Sequence, residues 1–520
     1  MVKMKKFTQT DLQKLIKDLD STCPQLLSLQ INGFCIWPTV KVVLWRYLTK
    51  ELVEDESKSA SNSLITKSKF VRLKAYLSMI GMTFIVLLKA LLPNLKTLMK
   101  SHNQPLDLLI IHPNRVNSSF EGEHFDQFFG FFSGLDSFIV GSIHPPNHQQ
   151  TVWEQRAEIS IDVQFLNSLV VATAIKDKLI GKHQKQTSRV VSLIHNILQQ
   201  KTGVETSLPK PLIHAAIAHF LATMEIYTLV LKRLKPAKLF VIDFDSKLGE
   251  IAAAKSLGIP TYDVQHGTFW SHDLDHSWLG ESAKFLSQLT FPDYLLVRGK
   301  LWANIAKELD FWKQEQIMEL GCACMSRYLP KRKRPVDVDL SKKRLNVLFI
   351  SGDIHVSQTQ KFIFDLLAEA EQSLHLTIKL HPREPEQSHP LQELVASFSG
   401  LVTLKNQFED IYQLILESDL VIGSNSTALI EAAVLGTPTF SLGVGSTPEG
   451  LAAAHGNNPT LKCVLGFAST PSSLMNQIFS LKQNPSKTLD WMAKVEKSIP
   501  TMYTPNFSKN LTKIVANDES

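Results

Sequence analysis

Cysteine is scarce in this sequence, with five in 520 residues. An odd, small number over such a length excludes a disulfide-stapled fold and fits a reducing compartment. Cys322 and Cys324 form a C-x-C pair, but no second Cys/His pair lies nearby. Small buried thiols are expected there, and no metal site. Long hydrophobic runs are also missing. The longest, Ala75 to Leu88, has about 14 residues, short of the roughly 20 that span a bilayer. The basic N-terminus, Met1 to Lys6, leads into no apolar core, so no signal peptide is expected. Neither a P-loop nor a G-x-G-x-x-G occurs, which removes the motif of an ATPase or a nicotinamide enzyme. There is no repeat at solenoid periods and no low-complexity tract.

What remains is ordinary globular material. Hydrophobic residues make up 44% and charged residues 20%, which excludes a disordered chain and a multi-span membrane protein. The net charge is +6. Spread over this length it does not point to nucleic acid. It suits anionic ligands and an anionic membrane surface equally. The length predicts two or three domains.

Residues 1–100 read as a helical region, with a basic, Ser-rich loop near 55–70. The run 75–88 lies between Lys67, Lys69, Arg72 and Lys74 on one side and Lys89, Lys96 and Lys100 on the other. Two readings stand: a packing helix, or a helix lying in an anionic membrane surface. From Asp107 the pattern changes. LDLLIIHP (106–113) and SFIVGSIHPP (137–146) read as buried strands, and residues 151–235 as long helices. KLFVIDFD (238–245), a helix over 247–258, PTYDVQHG (260–267) and DYLLVRG (293–299) then alternate as in βαβ units. KRKRPVDVDLSKKR (331–344) reads as a solvated linker. Beyond it the alternation restarts with strands over 345–352, 375–382, 419–426 and 437–443 and helices between them. The predicted fold is α/β, with two Rossmann-like domains facing a cleft: a helical region 1–100, domains 101–335 and 336–489, and a helical tail 490–520. Ligands in such sheets bind outside the carboxyl ends of the strands.

The chemistry-bearing residues gather at those ends. IKLHPRE (378–384) closes a strand with Lys379, His381 and Arg383. SDLVIGSNSTALIEAAVLGTP (418–438) then carries Ser424, Asn425, Ser426 and Thr427 into a helix, with Glu431 one turn on. Free backbone N–H groups and the positive end of the helix dipole make that start an anion site. In the first half, Asp243 and Asp245 flank Phe244 after a strand, and Gln265-His266-Gly267 ends the next. A carboxylate there is suited to general-base or nucleophilic work. His112, Arg115 and Glu121 follow the first strand in a polar, Gly-containing loop suited to an acceptor.

This ordered set resembles the nucleotide-binding half of GT-B glycosyltransferases. More narrowly, the strand-end His-Pro followed by a Ser/Thr cluster is similar to bacterial surface-polysaccharide transferases with cytidine-nucleotide donors. These are the capsule and lipopolysaccharide Kdo transferases, polysialyltransferases and CDP-glycerol glycerophosphotransferases. The resemblance covers roughly 105–485. It implies that His381, Ser424, Ser426 and Thr427 hold the donor phosphate and Glu431 the ribose. Lys379 and Arg383 either add charge there or are plain strand-end cations. It implies a catalytic set of Asp243, Asp245, His266 and His381, with His112, Arg115, Glu121 and Gln265 on the acceptor side. The expected partners are a nucleotide-sugar donor and a glycan or glycolipid acceptor, with neither cofactor nor metal. The expected place is the cytoplasm, or the cytoplasmic face of the inner membrane. The rivals are a CDP-glycerol or UDP-sugar transferase, a UDP-sugar 2-epimerase of the same two-domain fold, and a non-catalytic glycan-assembly protein.

Overall fold

The computed structural model describes residues 18–19, 26, 28–44, 94, 97, 105–112, 118–120, 123–126, 128–130, 135–144, 157–202, 210–269, 290–309, 312–351, 356–381, 391–406, 409–424, 426–444 and 459–516. The run 75–88 and the cations Lys67 to Lys74 lie outside these.

Two sheets dominate the described residues, and every pairing in both is parallel. The first holds β1 (Leu108–Ile111), β2 (Val140–His144), β3 (Ile159–Asp162), β4 (Leu239–Ile242), β5 (Thr261–Val264), β6 (Tyr294–Val297) and β7 (Ile317–Glu319). Its strand order is β7-β6-β5-β4-β1-β2-β3. The second holds β8 (Leu345–Ile350), β9 (Leu374–Lys379), β10 (Val402–Lys405), β11 (Leu420–Gly423), β12 (Thr439–Leu442) and β13 (Gly466–Ala468), in the order β10-β9-β8-β11-β12-β13. Each sheet winds outward in one direction, returns to its first strand and winds the other way. This is the doubly wound, Rossmann-like order, with a switch point between β1 and β4 and another between β8 and β11. The predicted α/β class with two such units is what the structure shows.

Central strands form where an apolar run can be buried on both faces. All four residues of β1, β4, β5, β11 and β12 are buried. Register then sets the site. Ile350 lies opposite both Lys379 and Gly423, so β8, β9 and β11 end level. Ile111 pairs with Val241, and Ile242 with Val264, so β1, β4 and β5 also end together.

Helices cover the sheets: α1 (Val163–Leu179), α2 (Gln184–Thr202), α3 (Lys210–Leu234), α4 (Leu248–Ser256), α5 (Lys300–Glu308), α6 (Val356–Glu369), α7 (Thr427–Val434), α8 (Pro471–Gln483), α9 (Ser486–Met502) and α10 (Phe507–Ala516). Among the described residues α3 alone is long and apolar enough to cross a membrane. Here it is a core helix, with Ile213, Ile217, Phe220, Tyr227 and Leu231 buried.

One core cluster joins the two units. It holds Val241, Leu295, Val297 and Trp302 from the first together with Ile350, Leu429, Ile430 and Ala433 from the second. The last two helices also cross between them. The Trp302 indole Nε1 donates to the Met502 carbonyl at 3.0 Å, and Thr504 N donates to the Arg298 carbonyl at 2.8 Å. Gly321 permits this approach: it has φ +95°, and a Cβ there would lie 2.6 Å from the Thr504 carbonyl oxygen. Beyond it, Phe507, Leu511, Ile514 and Val515 of α10 are buried against Leu108, Ile110, Phe240 and Ile242 of the first sheet.

One expectation is corrected. The segment read as helical from 151 contains β3, whose residues alternate between buried and half-buried. The charged stretch 331–344 is largely exposed, as a solvated run would be, and is also anchored at three points. Arg332 Nη1 lies 2.9 Å from Glu496, Lys342 Nζ lies 2.6 Å from Asp419, and Lys333 N donates to the Leu435 carbonyl at 2.8 Å.

Candidate functional site

Strand β4 stops at Ile242, so Asp243 and Asp245, read within the strand run 238–245, lie beyond its end. Asp243 has φ 68° and ψ 61°, a left-handed conformation that is strained for a residue with a Cβ. Ser246 holds it there, its N donating at 3.0 Å and its Oγ at 2.8 Å to the Asp243 carbonyl. Such strain recurs at functional sites. The consequence is directional. His266 Nδ1 lies 3.4 Å from Asp243 Oδ1, with both side chains roughly one-third exposed, 29% and 32%. Asp245 sits in the following turn, half-buried. Gln265 is buried and internal to its loop: its Nε2 donates to the Gly267 carbonyl at 2.8 Å, and its Oε1 accepts from Arg298 N at 2.9 Å.

His112, after β1, is buried rather than displayed. Its Nδ1 lies 3.6 Å from Asp126 Oδ2, and Asp126 Oδ1 accepts from the N–H groups of Phe128 and Phe129, both at 2.7 Å. Burial pushes the Asp126 carboxyl up to about 7, against those two N–H groups, which pull it down.

In the second unit, Ser426 caps α7 through its Oγ, which accepts from Ala428 N. Ser424 is half-buried just before it. His381 follows β9, and its N–H donates to Ser351 Oγ at 3.0 Å across the ends of β9 and β8. Lys379 turns inward: it is buried, and its Nζ donates to the Leu380 carbonyl at 2.9 Å.

The two edges meet. Thr427 Oγ1 accepts from Thr268 N at 3.0 Å, which sets the His266 loop against the N-terminus of α7. Gly267 fits there because a Cβ would come 3.3 Å from that hydroxyl. One turn along the same helix face, Glu431 Oε1 accepts from Arg298 Nη1 at 2.8 Å, and Arg298 Nη2 donates to the His266 carbonyl at 3.0 Å. Both side chains of this pair are about one-twentieth exposed, 6% and 5%. Glu431, expected at a ribose, is thus engaged at the junction between the units. Around it, burial pushes the Cys322 and Cys324 thiols up.

Arg115, Glu121, Arg383 and Asn425 lie outside the described residues. Sequence reasoning passed over Arg298. The signal was present: a cation directly after the apolar strand YLLV, at the carboxyl edge where ligands collect.

No family model matches the chain, and no curated protein matches it. Solved structures do. The chain is similar to UDP-GlcNAc 2-epimerase from Neisseria meningitidis bound to UDP-GlcNAc, at 12% identity and a TM-score of 0.44, over 79% of this chain and 98% of that one. It is similar to MurG from Acinetobacter baumannii at 15% and 0.36, over 57% and 80%. It is similar to the wall teichoic acid polymerase TagF at 10% and 0.43, over 85% and 98%. At these scores the likenesses carry nothing about chemistry.

Proposed function

We propose that this chain is a nucleotide-sugar glycosyltransferase of the GT-B kind. It moves a Kdo or sialic-type sugar from a CMP donor onto a bacterial surface polysaccharide or its lipid-linked precursor. The observation that carries this reading is the contact of Thr268 N with Thr427 Oγ1. It brings a carboxylate–imidazole pair from one doubly wound unit beside a serine-capped helix start from the other. A donor phosphate fits the helix start, where N–H groups and the dipole favour negative charge. Ser424, Ser426 and His381 are the groups placed to hold it. An acceptor hydroxyl fits beside His266 and Asp243.

The acceptor oxygen attacks the anomeric carbon, the carbon–oxygen bond to phosphate breaks, and the nucleotide leaves with the electron pair. His381 and the α7 N-terminus stabilise that charge. In an inverting reaction the hydroxyl proton passes to the His266–Asp243 pair. In a retaining reaction the Asp243 carboxylate displaces the phosphate and forms a glycosyl ester; His266 alone then takes the acceptor proton as the acceptor oxygen displaces that carboxylate. Asp245, half-buried in the next turn, is the second choice. We assign the first sheet to the acceptor and the second to the donor, at the cytoplasmic face of the inner membrane.

The test is a thermal-shift panel of CMP, CDP, UDP and GDP, followed by donor turnover with and without a glycan acceptor. A ligand at a hundred times its Kd adds about 2.7 kcal/mol of stability. Selective stabilisation by a cytidine nucleotide and acceptor-dependent turnover are expected. Conversion of a nucleotide sugar without acceptor would establish the epimerase reading instead. No stabilisation by any nucleotide would overturn the donor site.

A further inference from the structure

Three large apolar side chains stand exposed at one end of the first unit's helical layer. Leu179 is 82% exposed, Ile180 68% and Leu229 61%. Leu179 ends α1, and Ile180 opens the turn through Gly181 and His183 into α2. Leu229 lies on α3. Helix α1 follows β3 and α3 leads into β4, and these strands run parallel, so both helices run against the strand direction. Their C-terminal ends therefore lie at the sheet edge opposite the carboxyl ends. Lys176 Nζ, 3.5 Å from Glu225 Oε1, fixes their relative level, and Lys182 bonds the same carboxylate. Leu179 and Ile180 lie one turn beyond Lys176, and Leu229 one turn beyond Glu225. All three thus collect below that ion pair.

The same end is basic. Residues 176–185 and 225–235 hold seven Lys or Arg and two acids. Both acids, Asp177 and Glu225, are taken up by Lys176 and Lys182. Lys178, Lys185, Lys232 and Lys235 are exposed around the apolar residues. An apolar tip ringed by lysines matches a surface that is oily just beneath an anionic layer. Leucine and isoleucine enter the headgroup boundary while the lysines reach phosphates. We propose that this helical end, Leu179 and Ile180 with Leu229 and the surrounding lysines, docks on an anionic lipid surface. The proposal is separate from the apolar run 75–88 and does not rest on the transferase reading.

The test is co-sedimentation of the full chain with phosphatidylcholine vesicles, with and without phosphatidylglycerol. The parent should partition to the anionic vesicles. A Lys178→Gln, Lys185→Gln, Lys232→Gln variant should lose about fivefold per charge, on the order of a hundredfold together. Leu179→Glu with Ile180→Glu should lose binding as well. All five positions are exposed, so the melting temperature and any nucleotide-induced shift should stay at the parent's values, which separates this proposal from the fate of the donor site. Failure of the parent to bind, or equal binding by parent and both variants, would overturn it. So would full loss on replacing Lys67, Lys69, Arg72 and Lys74 while the tip variants bind normally.

Discussion

The buried pair of Arg298 and Glu431 allows a worked test of how the two units are held. Glu431→Ala leaves a guanidinium with a buried face and no counter-charge, and removing one partner of such a pair costs about 3–5 kcal/mol. The shared core implies that the chain melts as one cooperative unit. Unfolding entropy of about 2.1 cal/mol/K per residue then gives about 1.1 kcal/mol/K for 520 residues. The melting temperature should fall by about 3–5 °C in scanning calorimetry. Arg298→Met with Glu431→Met removes both charges and should recover most of that loss, since apolar replacement of a whole buried pair is often neutral. Function should not recover with it. Arg298 Nη2 also holds the His266 carbonyl, and methionine has no donor for it. Arg298→Lys should lose one of the two bonds, because a single ammonium cannot reproduce the planar fork. A Glu431→Ala variant melting within about 1 °C of the parent would refute the reasoning. So would a double variant less stable than either single one.

Three further outcomes are expected. Asp126 binds a proton in the folded chain up to about pH 7 but only up to 3.8 unfolded. Stability attached to it is therefore fully present below the lower value and declines by up to about 1.4 kcal/mol per pH unit as pH rises through that window. Asp126→Asn, which keeps an acceptor for Phe128 and Phe129, should flatten the melting temperature between pH 4 and 7 relative to the parent; an unchanged slope would remove Asp126 as the cause. Asp243→Gly relieves the left-handed strain and should stabilise by about 1 kcal/mol while transfer falls, and Asp243→Asn should suppress transfer with nucleotide binding intact. Full activity in both would exclude Asp243 from the reaction. His381→Ala should lower turnover by on the order of a hundredfold, and Ser426→Ala should cost about 1 kcal/mol of stability through the lost cap and weaken nucleotide binding; turnover at the parent's level in the first variant would exclude His381.

The strands legible in the sequence were the interior ones. β1, β4 and β11 are buried on both faces and appear as unbroken apolar runs, while β5, β8 and β12 keep an apolar majority or alternate it with Thr, Asp, Asn or Ser. The strands that went unread, β3, β7, β10 and β13, are the four sheet edges. There one side is solvated and the apolar run breaks up, as in the half-buried Thr403 to Lys405 of β10. At the site, Asp243, His266 and the capped start of α7 could be placed because each directly follows a readable strand. Glu431 and Arg298 could not, because their pairing joins residues 133 apart through the packing of one unit on the other. Lys379 was misleading for the same reason: strand-end position does not say whether a side chain turns outward or back under its own loop.

The placement of α10 has a consequence for synthesis. The first sheet has all its strands once Glu319 has emerged, yet the apolar face carrying Leu108, Ile110, Phe240 and Ile242 is closed by residues from Phe507 onward. At roughly 5–20 residues per second, the about 190 intervening residues take on the order of ten to forty seconds to translate. Throughout that interval the nascent chain carries a finished sheet with one oily face covered only in part, by Phe128, Phe129 and Leu135. A chaperone at the ribosome exit, or a neighbouring nascent chain on the same message, would meet that face before its own helix does.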